Sequence, residues 1–252
     1  MCLIAWNWQP TSPTPLLLIA NRDEFYARPT EALHWWPDAP ILAGRDLQGG
    51  GTWLGISRSG RLAALTNHRD PTNMRANAPS RGELVRAFLQ TDANAADYLS
   101  ALLERAADYN PFNLLVFDGT HLMGLESRHA KVMALQPGIG AVSNADFSTP
   151  WPKLSRLSGS LQTLLAQAHP GDAELLALLH NPDPAADIDL PATGIPVELE
   201  RALSAAFIAL PDYGTRASSV VRFGADHVSF MEQSFDASGN TGLRHDICRG
   251  IG

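Results

Sequence analysis

The chain has 252 residues, of which 45% are hydrophobic and 18% are charged, and its formal net charge at pH 7 is −7. This length and composition can bury a full core, and we expect a single domain over residues 1–252 because no long linker divides the pattern. The acidic balance, with basic residues that form no run, argues against nucleic acid as a partner.

Two short apolar runs at the start of the chain predict a β-hairpin. Residues 2–8 and 16–20 are rich in strand-forming side chains, and the prolines between them cannot continue a central strand. Opposed residues of such a pair lie equally far from the middle of the loop, which is Ser12. Cys2 is therefore predicted to lie opposite Arg22 or, if the register slips, opposite a neighbour within residues 21–24.

Further strands and helices are predicted in blocks. After a glycine bend at 49–51, strands are predicted at 52–57 and 61–66, and a helix at 81–90 with Ser80 as its N-cap and Glu83 at the capping-box spacing. Later segments are a helix at 93–107, a hairpin at 113–126, a strand at 138–143, helices at 154–165, 173–180 and 197–209, and strands at 215–223, 227–235 and 242–247.

This order of sheet, helices, sheet, helices and sheet predicts an α+β fold. With hairpins joining most strands, we expect a four-layer αββα sandwich of two mainly antiparallel sheets. A doubly wound fold is disfavoured, because strands and helices do not alternate one by one.

The chain has two cysteines, Cys2 and Cys248, which cannot build a disulfide framework. No histidine or cysteine spacing fits a metal site, so we expect no metal and no cofactor, and we interpret Cys248 as a passive thiol. A reducing, cytoplasmic location fits this cysteine usage. No segment approaches the roughly 18 apolar residues that span a bilayer, and no signal peptide is visible.

Cys2 follows the initiator methionine, and this position gives it unusual chemistry. If an aminopeptidase removes Met1, the residue carries both a thiol and a free α-amine, whose ordinary pKa is about 7.7 to 8.0. One residue could then supply nucleophile and base, and the Arg22 guanidinium would favour the reactive thiolate. The alternative is a buried cysteine beside a charged turn, because free cysteines are among the most buried residues.

Six short motifs occur in order along the chain. They are the N-terminal Met-Cys, Asn21–Glu24, Gly51–Gly55, Thr66-Asn67, Ser143-Asn144 with Trp151-Pro152-Lys153 just after, and Tyr213–Arg216. Together they resemble the NRDE family, also called the transport and Golgi organization protein 2 family, over nearly the whole chain. The resemblance implies the αββα fold of N-terminal nucleophile (Ntn) hydrolases, whose cysteine members, such as penicillin V acylase and bile salt hydrolase, cleave linear amides.

The resemblance also implies catalytic roles for five residues. Cys2 would be the nucleophile, Arg22 would hold its thiolate, and Asp23 would orient the α-ammonium group. Asn144 would donate its side-chain amide to the oxyanion, and Arg216 would complete the electrostatic frame. The ordinary alternatives are a turn role for Asn144 and a simple ion pair for Arg216.

Three further residues are predicted to contact a substrate. Asn21 belongs to the tetrapeptide that faces Cys2, Asn67 is a weaker candidate for a second amide donor, and His68 follows it directly.

Two functions compete on these residues. The first is a cysteine-dependent hydrolase that cleaves a linear C–N amide bond of a small N-acyl or peptide-like substrate. The second, which only the resemblance suggests, is a non-catalytic protein that binds and carries haem or an acyl-coenzyme A-like lipid in the same cavity. A plain scaffold is a third option, and it leaves the charged constellation unexplained.

Overall fold

The computed structural model describes residues 2–147, 149–167 and 169–250. The strands in this part of the chain are β1 (Cys2–Trp8), β2 (Leu16–Phe25), β3 (Thr30–Trp35), β4 (Ile41–Asp46), β5 (Leu54–Ser57), β6 (Leu62–Asn67), β7 (Phe112–Phe117), β8 (Leu122–Glu126), β9 (Lys131–Ala134), β10 (Gly138–Val142), β11 (Tyr213–Phe223), β12 (His227–Asp236) and β13 (Gly239–Arg249). The α-helices are α1 (Gly82–Gln90), α2 (Ala95–Leu103), α3 (Pro152–Gln167), α4 (Asp172–Leu179) and α5 (Val197–Ala202). Short 3-10 helices lie at Pro71–Asn73, Ala106–Asp108 and Asp187–Asp189.

Two antiparallel sheets form the centre of the molecule. One has the strand order β10-β1-β2-β11-β12-β13, and the other runs from β3 to β9 in sequence order. Helices α1 and α2 pack on the outer face of the seven-stranded sheet, and α3 and α4 pack on the six-stranded sheet. The predicted αββα sandwich of antiparallel sheets is therefore confirmed.

The side chains of β1 and β2 alternate between two cores, as the period of a strand requires. Even-numbered residues, from Ile4 to Trp8 and from Leu16 to Ala20, belong to the core between the sheets. Odd-numbered residues such as Leu3 and Ile19 belong to the core under α3 and α4.

The same alternation places the residues at the paired ends of β1 and β2. Cys2 pairs with Arg22, so the predicted register of the first hairpin is confirmed. Both side chains fall on the inner face, towards the other sheet, whereas Asn21 and Asp23 fall on the helix-covered face.

The start of α1 differs from the prediction. Its N-cap is Arg81 and not Ser80, and no side chain caps the helix. The Glu83 carboxylate accepts a hydrogen bond from the Tyr109 hydroxyl, so it does not reach back to close a capping box. Ser80 lies against the glycine bend, where a Cβ on Gly49 would come within 2.8 Å of its hydroxyl oxygen.

Two other helices are shorter than predicted. The helix expected at 93–107 covers only Ala95–Leu103, because the Asn94 side chain caps it by accepting from the Asp97 backbone N–H. The helix expected at 197–209 ends at Ala202, and the Ser204 hydroxyl then bonds the loop at Ala185. None of the described helices has the length and apolarity that crossing a membrane requires.

Candidate functional site

A cleft of about 670 Å³ opens beside the first residue of β1, with lining residues from both sheets. Five of the predicted site residues line it, and they are Cys2, Arg22, Asp23, Asn67 and Arg216. Strand pairing explains part of this grouping, because β2 lies between β1 and β11.

Cys2 is held from both sides and is only 5% exposed. Its backbone pairs with Arg22 of β2, and its carbonyl oxygen accepts a hydrogen bond of 2.9 Å from the Ser143 hydroxyl. Burial raises the pKa of the thiol to about 11; the charge of Asp23 raises it further, and that of Arg22 opposes the rise. Arg22 therefore lowers the pKa of the Cys2 thiol as expected, but desolvation raises that pKa by more.

The Arg22 guanidinium is loosely paired with acids. Its Nη2 lies 3.8 Å from Asp46 Oδ2 and 4.0 Å from Glu24 Oε2, and the side chain is 10% exposed. Its buried Nη1 has no hydrogen-bond partner among the described residues. Arg22 thus has one buried donor that no described residue of the protein satisfies.

Asp23 lies beside Cys2 but on the helix side of the sheet. Its Oδ1 accepts a hydrogen bond of 2.8 Å from the Thr215 hydroxyl, and its carbonyl oxygen accepts one from the Tyr213 hydroxyl. Burial raises the pKa of its carboxyl, and the nearby Lys153 ammonium opposes that rise. A buried carboxyl next to residue 2 is suitably placed to hold a cation there.

The two asparagines proposed as amide donors differ in position. Asn144 is fully buried and lines a neighbouring cavity; its Nδ2 donates to the Asn67 carbonyl at 2.9 Å, and its Oδ1 accepts from the Ser143 hydroxyl. Asn67 lines the cleft, and its side chain makes no hydrogen bond within the described residues. Asn67 is therefore the better placed of the two to meet a ligand beside Cys2.

Arg216 lines the cleft, but its guanidinium is already hydrogen-bonded to the protein. Its guanidinium donates to five acceptors in the neighbouring backbone and side chains, at distances of 3.0 to 3.2 Å. The acceptors are the carbonyl oxygens of Phe25, Tyr26, Arg28 and Phe235 and the hydroxyl of Thr30. These bonds tie the turn after β2 to the end of β12, so Arg216 shapes the cleft wall.

Asn21 and His68 lie outside the cleft. The Asn21 amide donates to the carbonyl oxygens of Leu179 and Ala206, both at 2.8 Å, and thereby ties β2 to the helical layer. His68 lines the cavity that also contains Asn144, where its Nε2 lies 3.6 Å from Asp146 Oδ1. The structure thus separates both side chains from the cleft that holds Cys2.

Arg81 is a cleft residue that sequence reasoning missed. Its Nη1 donates to the Pro111 carbonyl at 3.0 Å, and burial lowers its pKa to about 10, with Cys2 and Glu24 opposing the change. A signal was present in the sequence, since a cation at a helix N-terminus opposes the helix dipole and is unfavourable without another reason.

Lys153 was also not predicted as a site residue, although it belongs to the Trp151-Pro152-Lys153 motif. Its Nζ donates to the Leu203 carbonyl at 3.1 Å, and burial lowers its pKa to about 8, with Asp23 the largest opposing influence. Its spacing to Leu157 and Leu161 puts it on the buried face of α3 and was visible in the sequence.

No set of three or more histidine, cysteine or acidic side chains in residues 2–147, 149–167 and 169–250 is arranged to hold a metal ion.

Known proteins resemble the chain in sequence and in fold. Residues 1–237 match the family described as Transport and Golgi organisation 2. The Transport and Golgi organization protein 2 homolog of Bos taurus is 37% identical over 96% of this chain and 95% of its own length, and the Homo sapiens homolog is 38% identical over 93% of each.

A solved structure supports the fold. A mutant conjugated bile acid hydrolase from Clostridium perfringens superposes with a TM-score of 0.55 at 8% identity, covering 98% of this chain and 92% of that one. At such low identity the likeness concerns the fold alone. The chain therefore belongs to the Transport and Golgi organisation 2 family, and its αββα sandwich is the fold of the Ntn hydrolases.

Proposed function

We propose that the chain is a cysteine-dependent amide hydrolase that cleaves a linear C–N bond of a small N-acyl or peptide-like compound. One observation supports the proposal: Cys2, Arg22 and Asn67 line the same cleft. A nucleophile, a cation and an amide donor around one cavity are the parts that acyl transfer needs. Because Cys2 must stay reduced, we also infer a cytoplasmic site of action.

Activation of the thiol requires a base. With a pKa of about 11, the Cys2 thiol is un-ionised at neutral pH while Met1 precedes it. Removal of Met1 exposes an α-amine, whose ordinary pKa near 8 suits it to accept the thiol proton. The neighbouring Asp23 carboxyl would then hold the resulting ammonium group.

The proposed reaction has two halves. In the first, the sulfur of Cys2 bonds to the amide carbon while the thiol proton passes to the α-amine, and Asn67 donates a hydrogen bond to the oxyanion. The C–N bond breaks, the α-ammonium returns the proton to the leaving amine, and an acyl thioester remains. In the second half, water attacks the thioester, which releases the carboxylic acid and restores the thiol.

Processing and hydrolysis can be tested together. Intact mass should show a chain without Met1, and that chain should hydrolyse members of a panel of N-acyl amides with a transient mass increase equal to one acyl group. Cys2→Ala should abolish turnover, and Asn67→Ala should lower kcat by about 10² to 10³. Retention of Met1 in protein from its native cell, or turnover that survives Cys2→Ala, would refute the proposal.

A non-catalytic carrier of haem or acyl-coenzyme A is the second candidate. The raised pKa of Cys2 favours it, because a thiol that stays protonated suits a binding site better than a nucleophile. Haem is the weaker ligand of the two, since the described residues of the cleft wall include no histidine or methionine, and Cys2, which could bind the iron as a thiolate, is un-ionised at neutral pH. Absorbance titration with haem and calorimetry with acyl-coenzyme A test this candidate, and saturable binding by a chain that hydrolyses nothing would support it.

A further inference from the structure

The strand β13 forms one edge of the six-stranded sheet, and its outer side pairs with no strand in the part of the chain that the structure describes. It is 11 residues long, and from Gly242 to Arg249 its register with β12 is unbroken. Such an edge presents a row of N–H and C=O groups that can pair with another chain. A further strand can therefore add to the sheet at β13 without a change in the fold.

The other three sheet edges are less suited to pairing. The strands β9 and β10 have four and five residues, and the register of β3 with β4 is irregular between Glu31 and His34. Short strands and bulges are common means by which proteins protect an exposed edge. By contrast, β13 is long, regular from Gly242 onward and free of proline.

The outward face of β13 exposes two large apolar side chains. Leu243 is 59% exposed and Ile247 is 43% exposed. They are four residues apart and therefore share one face of the strand, with His245 between them. Strand addition at this edge would cover part of both side chains.

The other face of β13 carries two charges of opposite sign. Arg244 and Asp246 share this face with Cys248, which belongs to the core between the sheets. Arg244 lies opposite Glu232 of β12, whose carboxylate accepts a hydrogen bond from the Leu33 backbone. Neither Arg244 nor Asp246 forms a salt bridge with any residue that the structure describes.

We propose that the protein forms a symmetric dimer through β13, in which two copies of this strand pair antiparallel and join the two six-stranded sheets into one. Directly opposed residues of a continuous sheet lie on the same face, so the two-fold axis must pass through a residue of β13. An axis at His245 places Arg244 of each copy opposite Asp246 of the other. It also places Leu243 of each copy opposite Ile247 of the other.

The neighbouring registers are disfavoured by charge. An axis at Arg244 would oppose two arginines, and an axis at Asp246 would oppose two aspartates. Like charges in directly opposed positions are destabilising, whereas opposite charges and apolar pairs are stabilising. The pairing involves mainly one strand from each copy, which is a small interface, so the dimer is weak and depends on protein concentration.

Charge exchange tests the dimer in solution. Sedimentation velocity between about 1 and 100 µM should show a reversible rise in mass from 27.2 kDa towards twice that value. Arg244→Asp and Asp246→Arg should each weaken the dimer by about 10- to 100-fold, because each puts two like-charged pairs across the axis. An equimolar mixture of the two variants should dimerise as the wild type does, since both cross-strand pairs then have opposite signs. Arg86→Asp, the same change of charge at an exposed position of α1, should leave the dimer unchanged.

His245→Cys tests the register. Opposed residues of an antiparallel pair have Cα atoms about 4.5 to 5.5 Å apart, a distance that a disulfide spans. With oxidised glutathione this variant should form a covalent dimer that a reductant reverses. Leu243→Cys is the matched control, because its two copies would lie roughly 13 Å apart along the strands and should not be linked. The wild type should not be linked either, since Cys2 and Cys248 are buried.

The results that would overturn the proposal are distinct. A wild type that stays monomeric over this concentration range would overturn the dimer, and so would a dimer that both charge variants leave unchanged or that fails to form in their mixture. Cross-linking through Leu243→Cys in preference to His245→Cys would overturn the register. Thermal unfolding shows whether each variant is folded, and the cysteine variants keep both charges, so they decide the matter even if a charge variant does not fold.

Discussion

At Cys2, burial and charge act on the thiol in opposite directions. Desolvation raises its pKa, and the guanidinium of Arg22 lowers it by a smaller amount. A protonated thiol resists alkylation and oxidation, because the thiolate is the reactive form. The structure thus describes a thiol that stays protonated at neutral pH, and in the proposed hydrolase the α-amine would act as its base.

The first prediction is a pH profile for alkylation of Cys2. In protein that retains Met1, the rate with iodoacetamide should climb with pH up to about 11, and at pH 7.5 only about one thiol in three thousand should be ionised. Peptide mapping by mass spectrometry separates Cys2 from Cys248. Arg22→Gln should slow the labelling further, and removal of Met1 should speed it. Fast, pH-independent labelling of the unprocessed chain would contradict this account.

The contact between Cys2 and Arg22 could be predicted because it depends on one short loop. The side chains of Asn144 and His68 could not be placed in the same way, since each follows a strand end where the direction of the side chain depends on distant partners. Asn144, for instance, is turned towards Asn67, which lies on another sheet. Local sequence carries no record of such a contact.

At the scale of elements, the glycine bend before β5 positions the start of α1 and with it Arg81. The backbone N–H of Thr52 donates to the Gly82 carbonyl at 3.3 Å. A Cβ on Gly51 would lie 2.4 Å from the carbonyl carbon and oxygen of Gly82. Only glycine permits this approach, so Gly51 lets the bend pack closely against the start of α1.

The second prediction follows from that close approach. Gly51→Ala should push the bend away from α1 and lower the free energy of unfolding by about 1 to 3 kcal/mol. Gly159→Ala is the matched control: Gly159 lies inside α3 with open space around its Cβ position, so alanine should stabilise the chain by up to about 1 kcal/mol. Denaturant titration measures both changes, and equal stability of the two variants would count against the packing role.

Element pairing divides into local and distant parts. Hairpins such as β1–β2 and β7–β8 could be predicted, because turn residues and alternation specify them. The pairing of β2 with β11 joins segments from opposite ends of the chain, and no turn signal indicates it. The strand β3 was also missed, because its last residue, Trp35, begins a Trp-Trp-Pro sequence that favours a loop.

At the scale of the whole molecule, Glu232 links the two sheets across the floor of the cleft. It belongs to β12 of the six-stranded sheet, and its Oε1 accepts a hydrogen bond of 2.8 Å from the backbone N–H of Leu33 in β3 of the other sheet. The residue is 3% exposed, and burial raises the pKa of its carboxyl. The packing of the sheets that frames the cleft therefore includes a titratable group.

The last prediction tests this link through the pH dependence of stability. Because the pKa of Glu232 is raised above its ordinary value of 4.5, the folded chain binds the proton more tightly than the unfolded chain does. The stability that this proton provides is present below about pH 4.5 and is lost as the pH rises through the folded-state pKa. Glu232→Gln keeps an acceptor for Leu33 without titrating, so its stability relative to wild type should increase from acidic to neutral pH.

Glu232→Leu distinguishes the effect of the hydrogen bond to Leu33 from the effect of the carboxylate charge. It leaves the buried N–H of Leu33 without an acceptor and should lower the free energy of unfolding by about 1 to 3 kcal/mol at acidic pH, where the wild-type carboxyl is neutral. Denaturant titrations of the three proteins between pH 4.5 and 8 measure both effects. If the difference between Glu232→Gln and wild type were flat or fell with rising pH, the carboxyl would be ionised as readily in the fold as in water. Glu232 would then be a solvated group of the cleft wall, and its ionisation would not change how firmly the two sheets are held together.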